Sequence, residues 1–220
     1  GDATLFTRED EVEEQWKLVD AGVELSNKGR FQEAGDKFVQ ALALDPNLAE
    51  AHTQLGFALG VKGLLKDSIL EFETAVKLRP DLGEAQYYLG AARWFSNDVD
   101  GAIAALRPAT TLLPNHANAH YYLGLALQKN NDLQGAIAEL KTAVRLAPDM
   151  LEPVHALGLA LLKNEELDDA IEAVNLSAFG NMACIFTSSG AAARSAGVAT
   201  PPLPWNLPMG YRGSTDVIVM

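Results

Sequence analysis

Two histidines, His116 and His120, have a spacing that could place both imidazoles on one helix face, where they could hold a metal ion. No cysteine lies near them, since the chain's single cysteine is Cys184, and His116 follows Pro114 so closely that it stands at a helix start. His120 also shares its place in a repeated pattern with His52, which favours a packing role. We therefore predict no metal site here.

The adjacent carboxylates of Glu165 and Glu166, and of Asp168 and Asp169, belong to a polar turn and the helix start that follows it. Such pairs are ordinarily solvated rather than catalytic. The chain also contains no G-x-S-x-G, P-loop or H-E-x-x-H motif. The sequence thus predicts a non-catalytic protein with no cofactor.

Composition narrows the classes of partner. The 220 residues carry a net charge of −12 and no run rich in lysine or arginine, which argues against nucleic acid and anionic membranes. No apolar run approaches the roughly 18 residues that a membrane-spanning helix needs. No signal peptide is in view, although the chain opens on Gly1 rather than methionine. We expect a cytoplasmic location.

Residues 117–148 contain the pattern that organises the chain. They read as two short amphipathic helices joined by the polar turn Asn130-Asn131-Asp132, and Pro148 ends the second helix. The same pattern returns every 34 residues, with glycines at Gly22, Gly56, Gly90, Gly124 and Gly158 and prolines at Pro46, Pro80, Pro114 and Pro148. Helix pairs this short cannot bury their apolar faces alone and must stack on their neighbours.

This period, with small residues where helices approach closely, resembles the tetratricopeptide repeat. The resemblance covers about residues 15–177 and implies an all-α fold, a right-handed superhelical solenoid of about five helix-turn-helix repeats. The expected division is an N-terminal segment (1–14), repeats at about 15–48, 49–82, 83–116, 117–150 and 151–177, and a tail (178–220). Two residues depart from the pattern: Arg93 replaces a leucine, and Pro108 lies inside a helix, where proline costs about 3 kcal/mol or causes a kink.

Residues 1–20 break the repeat and resemble the closing segment of bacterial glucose-6-phosphate dehydrogenases. The match rests on Gly1, Asp2, Thr4, Leu5, Phe6, Arg8, Asp10, Glu11, Val12, Glu13 and Trp16. None of these is a catalytic or cofactor position in that family, so the resemblance implies ancestry or fusion rather than activity. The alternative is an acidic helix start in which Thr7 is the N-cap.

The tail has few charges and no helical or strand periodicity. Its composition favours a disordered linker, and a change of reading frame after about Val174 is the alternative. No polar helix to cover the last repeat is evident, so the uncapped end could stack on another copy of the chain.

The resemblance to the repeat family also implies a peptide-binding groove on the concave face, formed by the first helix of each pair. The positions that face a ligand in that family are here mainly aromatic or apolar. They are Phe57, Tyr87, Tyr88, Trp94, Phe95, Asn118, Tyr121, Tyr122, Leu125, His155 and Leu159. Tyrosine at Tyr87 and Tyr121 is common in the family for packing alone, so we expect Tyr88, Trp94 and Tyr122 to be the anchors.

We therefore expect a non-catalytic scaffold or adaptor that binds a protein or peptide segment in this groove. Repeat domains that clamp a partner's terminal carboxylate carry lysine, asparagine and arginine at set groove positions. This chain has no basic residue at those positions, so that sub-class is disfavoured. Two alternatives are the accessory end of a dehydrogenase fusion and a surface for self-assembly.

Overall fold

The computed structural model describes residues 3–164, with side chains from residue 12 onward. This part of the chain forms nine α-helices and no strand. They are α1 (Ala3–Asn27), α2 (Phe31–Leu44), α3 (Ala49–Val61), α4 (Leu65–Leu78), α5 (Gly83–Phe95), α6 (Val99–Leu112), α7 (Ala117–Lys129), α8 (Leu133–Leu146) and α9 (Leu151–Lys163). The expected tenth helix and the tail lie outside the described residues.

The turn inside each helix pair has one residue with positive φ, and these residues recur every 34 positions. They are Gly29 (φ 75°), Gly63 (φ 79°), Asn97 (φ 67°) and Asn131 (φ 65°). Glycine and asparagine tolerate this left-handed conformation better than other residues do. The turn therefore reverses the chain at the same point in each described repeat, and the second helix folds back on the first.

The repeated glycines lie where the two helices of a pair approach most closely. A Cβ atom built on Gly22 would lie 2.4 Å from the ring of Phe38, and one on Gly124 would lie 2.6 Å from Cγ of Leu140. Both distances are shorter than real Cβ contacts. The small residues predicted at the helix contacts are thus required by the bulky residue that follows sixteen positions later.

The helices form two unequal layers. The first helix of each pair (α1, α3, α5, α7 and α9) contacts the first helix of the next pair. The second helices (α2, α4, α6 and α8) make no comparable contacts with one another within the described part. Because the first helices approach one another more closely, they form the inner, concave layer of the solenoid.

Two sequence expectations require correction. Thr7 is not an N-cap, because α1 begins at Ala3 and runs without interruption into the first repeat. Pro108 does not break α6, which has the same 14 residues as the other second helices. The carbonyl that loses its amide partner to Pro108 belongs to Ala104, which is exposed and can be hydrated.

Among helices 3–163, none is both long enough and apolar enough to cross a membrane.

Candidate functional site

The concave layer carries a connected set of aromatic rings, which we call the aromatic layer: Phe57, Tyr87, Tyr88, Phe95, Tyr121 and Tyr122. Ring centroids lie 5.5 Å apart for Phe57 and Tyr88 and 5.0 Å apart for Tyr88 and Tyr87. The series continues at 6.3 Å from Tyr87 to Tyr122 and at 5.8 Å from Tyr122 to Phe95. Such edge-to-face and tilted pairs stabilise beyond the area they bury. The layer thus joins α3, α5 and α7 across three repeats.

Burial divides the expected groove residues into two groups. Phe57, Tyr87, Tyr121 and Tyr122 are at most 5% exposed and form the packed base of the groove. The half-buried residues, which present side-chain surface, are Tyr88, Trp94, Asn118, Leu125 and His155. Of the three expected anchors, Tyr122 is 1% exposed, so a partner meets it only where neighbouring side chains leave its edge open.

Burial raises the pKa of all four tyrosines in the aromatic layer. The charge of Glu84 adds to this effect at Tyr88, and the charge of Glu152 adds to it at Tyr121 and Tyr122. The phenols therefore stay neutral, and their hydroxyl groups act as hydrogen-bond donors and acceptors rather than as acid–base catalysts.

Trp94 lies near the end of α5, where the side chain of Lys129 covers its ring. The Nζ atom of Lys129 is 5.2 Å from the ring centroid, which is within cation–π range. The same ammonium donates a hydrogen bond to Oδ1 of Asn97. Trp94 thus offers a partner a ring with one edge of the groove already occupied by a cation.

Asn118 lies in a different environment from the aromatic layer. It lines a surface cavity of about 310 Å³ between the loop that joins α6 to α7 and the loop that joins α8 to α9. Leu113, Leu146 and Met150 supply apolar walls to this cavity, and His116 stands beside Asn118. The structure therefore separates Asn118 from the rings with which the sequence grouped it.

The histidines pack between helices, as the sequence predicts. In His120, Nδ1 lies 2.6 Å from Oε2 of Glu139 and Nε2 lies 3.1 Å from the carbonyl oxygen of Pro114. His52 makes the same two contacts one turn of the pattern earlier, with Glu71 (2.6 Å) and the Pro46 carbonyl (3.0 Å). In the repeat between them the position is Gln86, whose Nε2 donates to the Pro80 carbonyl at 3.2 Å.

His116 acts as the N-cap of α7, where its Nδ1 accepts a hydrogen bond of 3.1 Å from the amide of Ala119. Its ring centroid lies 4.4 Å from that of Tyr87. Burial lowers the pKa of His116, which matches the neutral imidazole that this cap requires. No cluster of metal-ligating side chains occurs in the described portion of the chain.

Arg93 points away from the groove. Its Nη2 atom donates to Oε1 of Glu73 at 2.8 Å, and its Nη1 atom donates to the carbonyl of Gly101 at 3.3 Å. The guanidinium therefore ties α5 to α4 and α6. The charge that replaces a leucine here is a link between helices rather than a groove residue.

Comparison with known proteins agrees with this architecture. A family model for the tetratricopeptide repeat matches residues 87–150. Among solved structures, MamA is 28% identical with a TM-score of 0.66, and the match covers 74% of this chain and 90% of that one. A comparison with curated protein sequences gives no significant match.

Two further structures share the fold. PilF of Pseudomonas aeruginosa is 19% identical with a TM-score of 0.69, and the match covers 80% of this chain and 82% of that one. YrrB, described as a TPR protein with an unusual peptide-binding site, is 21% identical with a TM-score of 0.67 and coverage of 88% and 96%. The chain thus has the all-α solenoid fold of tetratricopeptide-repeat proteins, an architecture typical of protein-interaction scaffolds.

Proposed function

We propose that this protein is a non-catalytic scaffold that binds an extended or helical peptide segment of a partner across the aromatic layer. The observation that carries the proposal is the unbroken series of ring contacts from Phe57 to Tyr122 and Phe95 on the concave side. Aromatic side chains combine a large apolar area with a polar edge, and they are enriched among residues that dominate binding energy.

The shape of the site supports a peptide rather than a small molecule. The rings follow one another along three successive first helices instead of closing around a pocket. The half-buried side chains of Tyr88, Trp94 and Leu125 are spread over α5 and α7. A segment that adds its own side chains at intervals matches such a surface better than a compact ligand does.

The hydroxyl groups of Tyr87, Tyr88 and Tyr121 support a role in orientation. Within residues 12–164 these three side chains make no hydrogen bond to another residue. They are therefore available to donate to a peptide carbonyl, which would fix the register of a segment held otherwise by apolar contact.

The test selects ligands without assuming their identity. A random-peptide display library is panned on the full chain, and enriched peptides are titrated by fluorescence anisotropy against the chain and the variants Tyr88→Ala and Trp94→Ala. We expect each variant to lower affinity by roughly tenfold, as is typical of interface hot spots. The control is Leu70→Ala, because Leu70 is 59% exposed on the second helix α4.

Enriched peptides that bind both groove variants as tightly as the unchanged chain would contradict the proposal. A matched loss in Leu70→Ala would do the same, because it would show that binding follows exposed apolar surface in general. Circular dichroism of each variant establishes equal helix content before affinities are compared.

The alternatives make different predictions. A self-assembly surface predicts that the sedimentation coefficient rises with protein concentration, whereas a scaffold for other proteins predicts a constant value. The resemblance of residues 1–20 to a dehydrogenase ending stays a prediction, and sequencing the gene upstream of the Gly1 codon tests it.

A further inference from the structure

The second position of the first helix is a carboxylate in three of the four pairs from α3 to α9. These residues are Glu50, Glu84 and Glu152, and the equivalent residue of α7 is Asn118. Glu50 accepts a hydrogen bond from Arg79 and is thereby neutralised. Glu84 and Glu152 are exposed and make no ion pair within the described residues. One edge of the concave layer therefore carries two uncompensated negative charges.

These charges stand next to the aromatic layer. Glu84 precedes Tyr88 by four residues in α5, so the two side chains lie on the same helix face. Glu152 begins α9, which packs on α7, and its charge acts on Tyr121 and Tyr122. The carboxylates thus line the border of the ring surface rather than a remote part of the solenoid.

The positive charges near the groove are already engaged or lie at its other end. Arg93 is held by Glu73 on the far side of α5. Lys129 covers Trp94 at the end of α7, and Lys163 is the last residue of α9. Glu84 and Glu152 lie at the starts of their helices, about 18 Å from the helix ends at a rise of about 1.5 Å per residue. Neither lysine can therefore neutralise the acidic edge.

We propose that the partner of this groove is a basic segment whose lysine or arginine side chains pair with Glu84 and Glu152 while its apolar residues lie on the aromatic layer. This inference rests on the proposed function and specifies its partner. A cation gains from both elements of the site, because carboxylates supply ion pairs and tyrosine faces attract ammonium and guanidinium groups. The net charge of −12 would also speed the encounter with such a partner.

The experiment uses two fluorescein-labelled peptides of equal length and equal leucine, proline and tyrosine content. One carries lysine at every polar position and the other carries glutamate. Each is titrated against the full chain at low and at high salt. We expect the lysine peptide to bind more tightly and to lose affinity as salt screens the pairs.

The double variant Glu84→Gln with Glu152→Gln keeps the shape of both side chains and removes their charge. We expect it to weaken the lysine peptide by roughly threefold to tenfold, as two partly exposed ion pairs would. The matched control is Asp67→Asn with Asp100→Asn. These two exposed carboxylates also occupy first helical turns, but they belong to the second helices α4 and α6.

Three results would overturn the inference: tighter or equal binding of the glutamate peptide, an unchanged preference in the glutamine variant, or binding of neither peptide. Tyr88→Ala separates this failure from failure of the groove itself. If Tyr88→Ala weakens both peptides while the glutamine variant changes nothing, the groove stands and the basic partner is wrong. If Tyr88→Ala changes neither peptide, the groove proposal is also wrong.

Discussion

Tyr88 of α5 places its ring edge-to-face on Phe57 of α3, with 5.5 Å between the ring centroids. On its other side, the same ring stacks on Phe72 of α4 at 5.6 Å. Tyr88 thus joins one repeat to the next while keeping part of its surface on the concave side. Stability and recognition therefore share a residue, and experiments must separate the two.

Substituting Tyr88 separates its ring from its hydroxyl group. We expect Tyr88→Ala to lower the free energy of unfolding by about 2–4 kcal/mol, because three ring contacts are lost. Tyr88→Phe keeps these contacts and should cost less than about 1 kcal/mol, since the hydroxyl makes no hydrogen bond within the described residues. Urea denaturation measures both values, and equal losses in the two variants would show that the hydroxyl, not the ring, stabilises the fold.

Ser68 is a buried defect in the repeat pattern. Its side chain is fully buried, and its hydroxyl has no hydrogen-bond partner in the described part of the chain. The equivalent positions hold Ala34, Ala102 and Ala136. Removing an unsatisfied buried hydroxyl should stabilise the fold, so we expect Ser68→Ala to raise the free energy of unfolding by about 1–2 kcal/mol.

The reverse change, Ala102→Ser, serves as the control for Ser68→Ala. It introduces the same hydroxyl at a fully buried position and should destabilise the fold by a similar amount. Thermal unfolding followed by circular dichroism compares the two. A lower melting temperature for Ser68→Ala would mean that the hydroxyl has a stabilising role.

The contact between His120 and Glu139 offers a test that the chain itself provides. In the preceding repeat the equivalent residues are Gln86 and Ala105, and Gln86 still bonds the proline carbonyl. We expect Glu139→Ala to cost about 1–3 kcal/mol, because it removes the carboxylate from a buried histidine. The double variant His120→Gln with Glu139→Ala should recover part of that loss, because it reproduces the arrangement of the neighbouring repeat.

Chemical denaturation measures this coupling through a double-mutant cycle. If the losses from His120→Gln and Glu139→Ala simply add, the two residues do not act as a pair.

His116 should make stability depend on pH. Its folded-state pKa is lowered, chiefly by burial, so the unfolded chain takes up a proton there before the folded chain does. The contribution of His116 is therefore fully present above the ordinary histidine pKa of about 6.5 and declines as pH falls from there through the lower folded pKa. Denaturation at about pH 7.5 and about pH 5 should show this decline.

His116→Asn is the matched variant, because asparagine is a strong N-cap and does not titrate in this range. The unchanged chain should lose more free energy of unfolding between the two pH values than the variant does. An identical loss in both proteins would mean that His116 contributes no pH dependence.

The fold was largely predictable because each repeat states the same constraint again. Gly22 and Gly124 lie against Phe38 and Leu140, so the spacing between small and bulky residues carries the packing in the sequence itself. Pro108 was harder to judge, because its effect depends on whether the freed carbonyl meets water. The start of α1 was missed because Thr7 has a cap-like side chain but continues in helical conformation.

The site was predictable only as a set of positions. Residue spacing placed Tyr88 and Tyr122 on the concave helices, but it could not assign their burial, which depends on neighbouring repeats. Arg93 shows the same limit, since its partner Glu73 belongs to another helix twenty residues earlier. The second helical positions of Glu84 and Glu152 were visible in the sequence, and their charge became meaningful only beside the rings.

The most direct test of the central claim is to map where a selected peptide binds by nuclear magnetic resonance of the isotopically labelled chain. The account predicts that the largest shift changes fall on α3, α5 and α7, around Tyr88, Trp94 and Leu125. Changes concentrated on the second helices, or in the cavity around Leu113 and Met150, would show that the aromatic layer is core packing and not the binding surface.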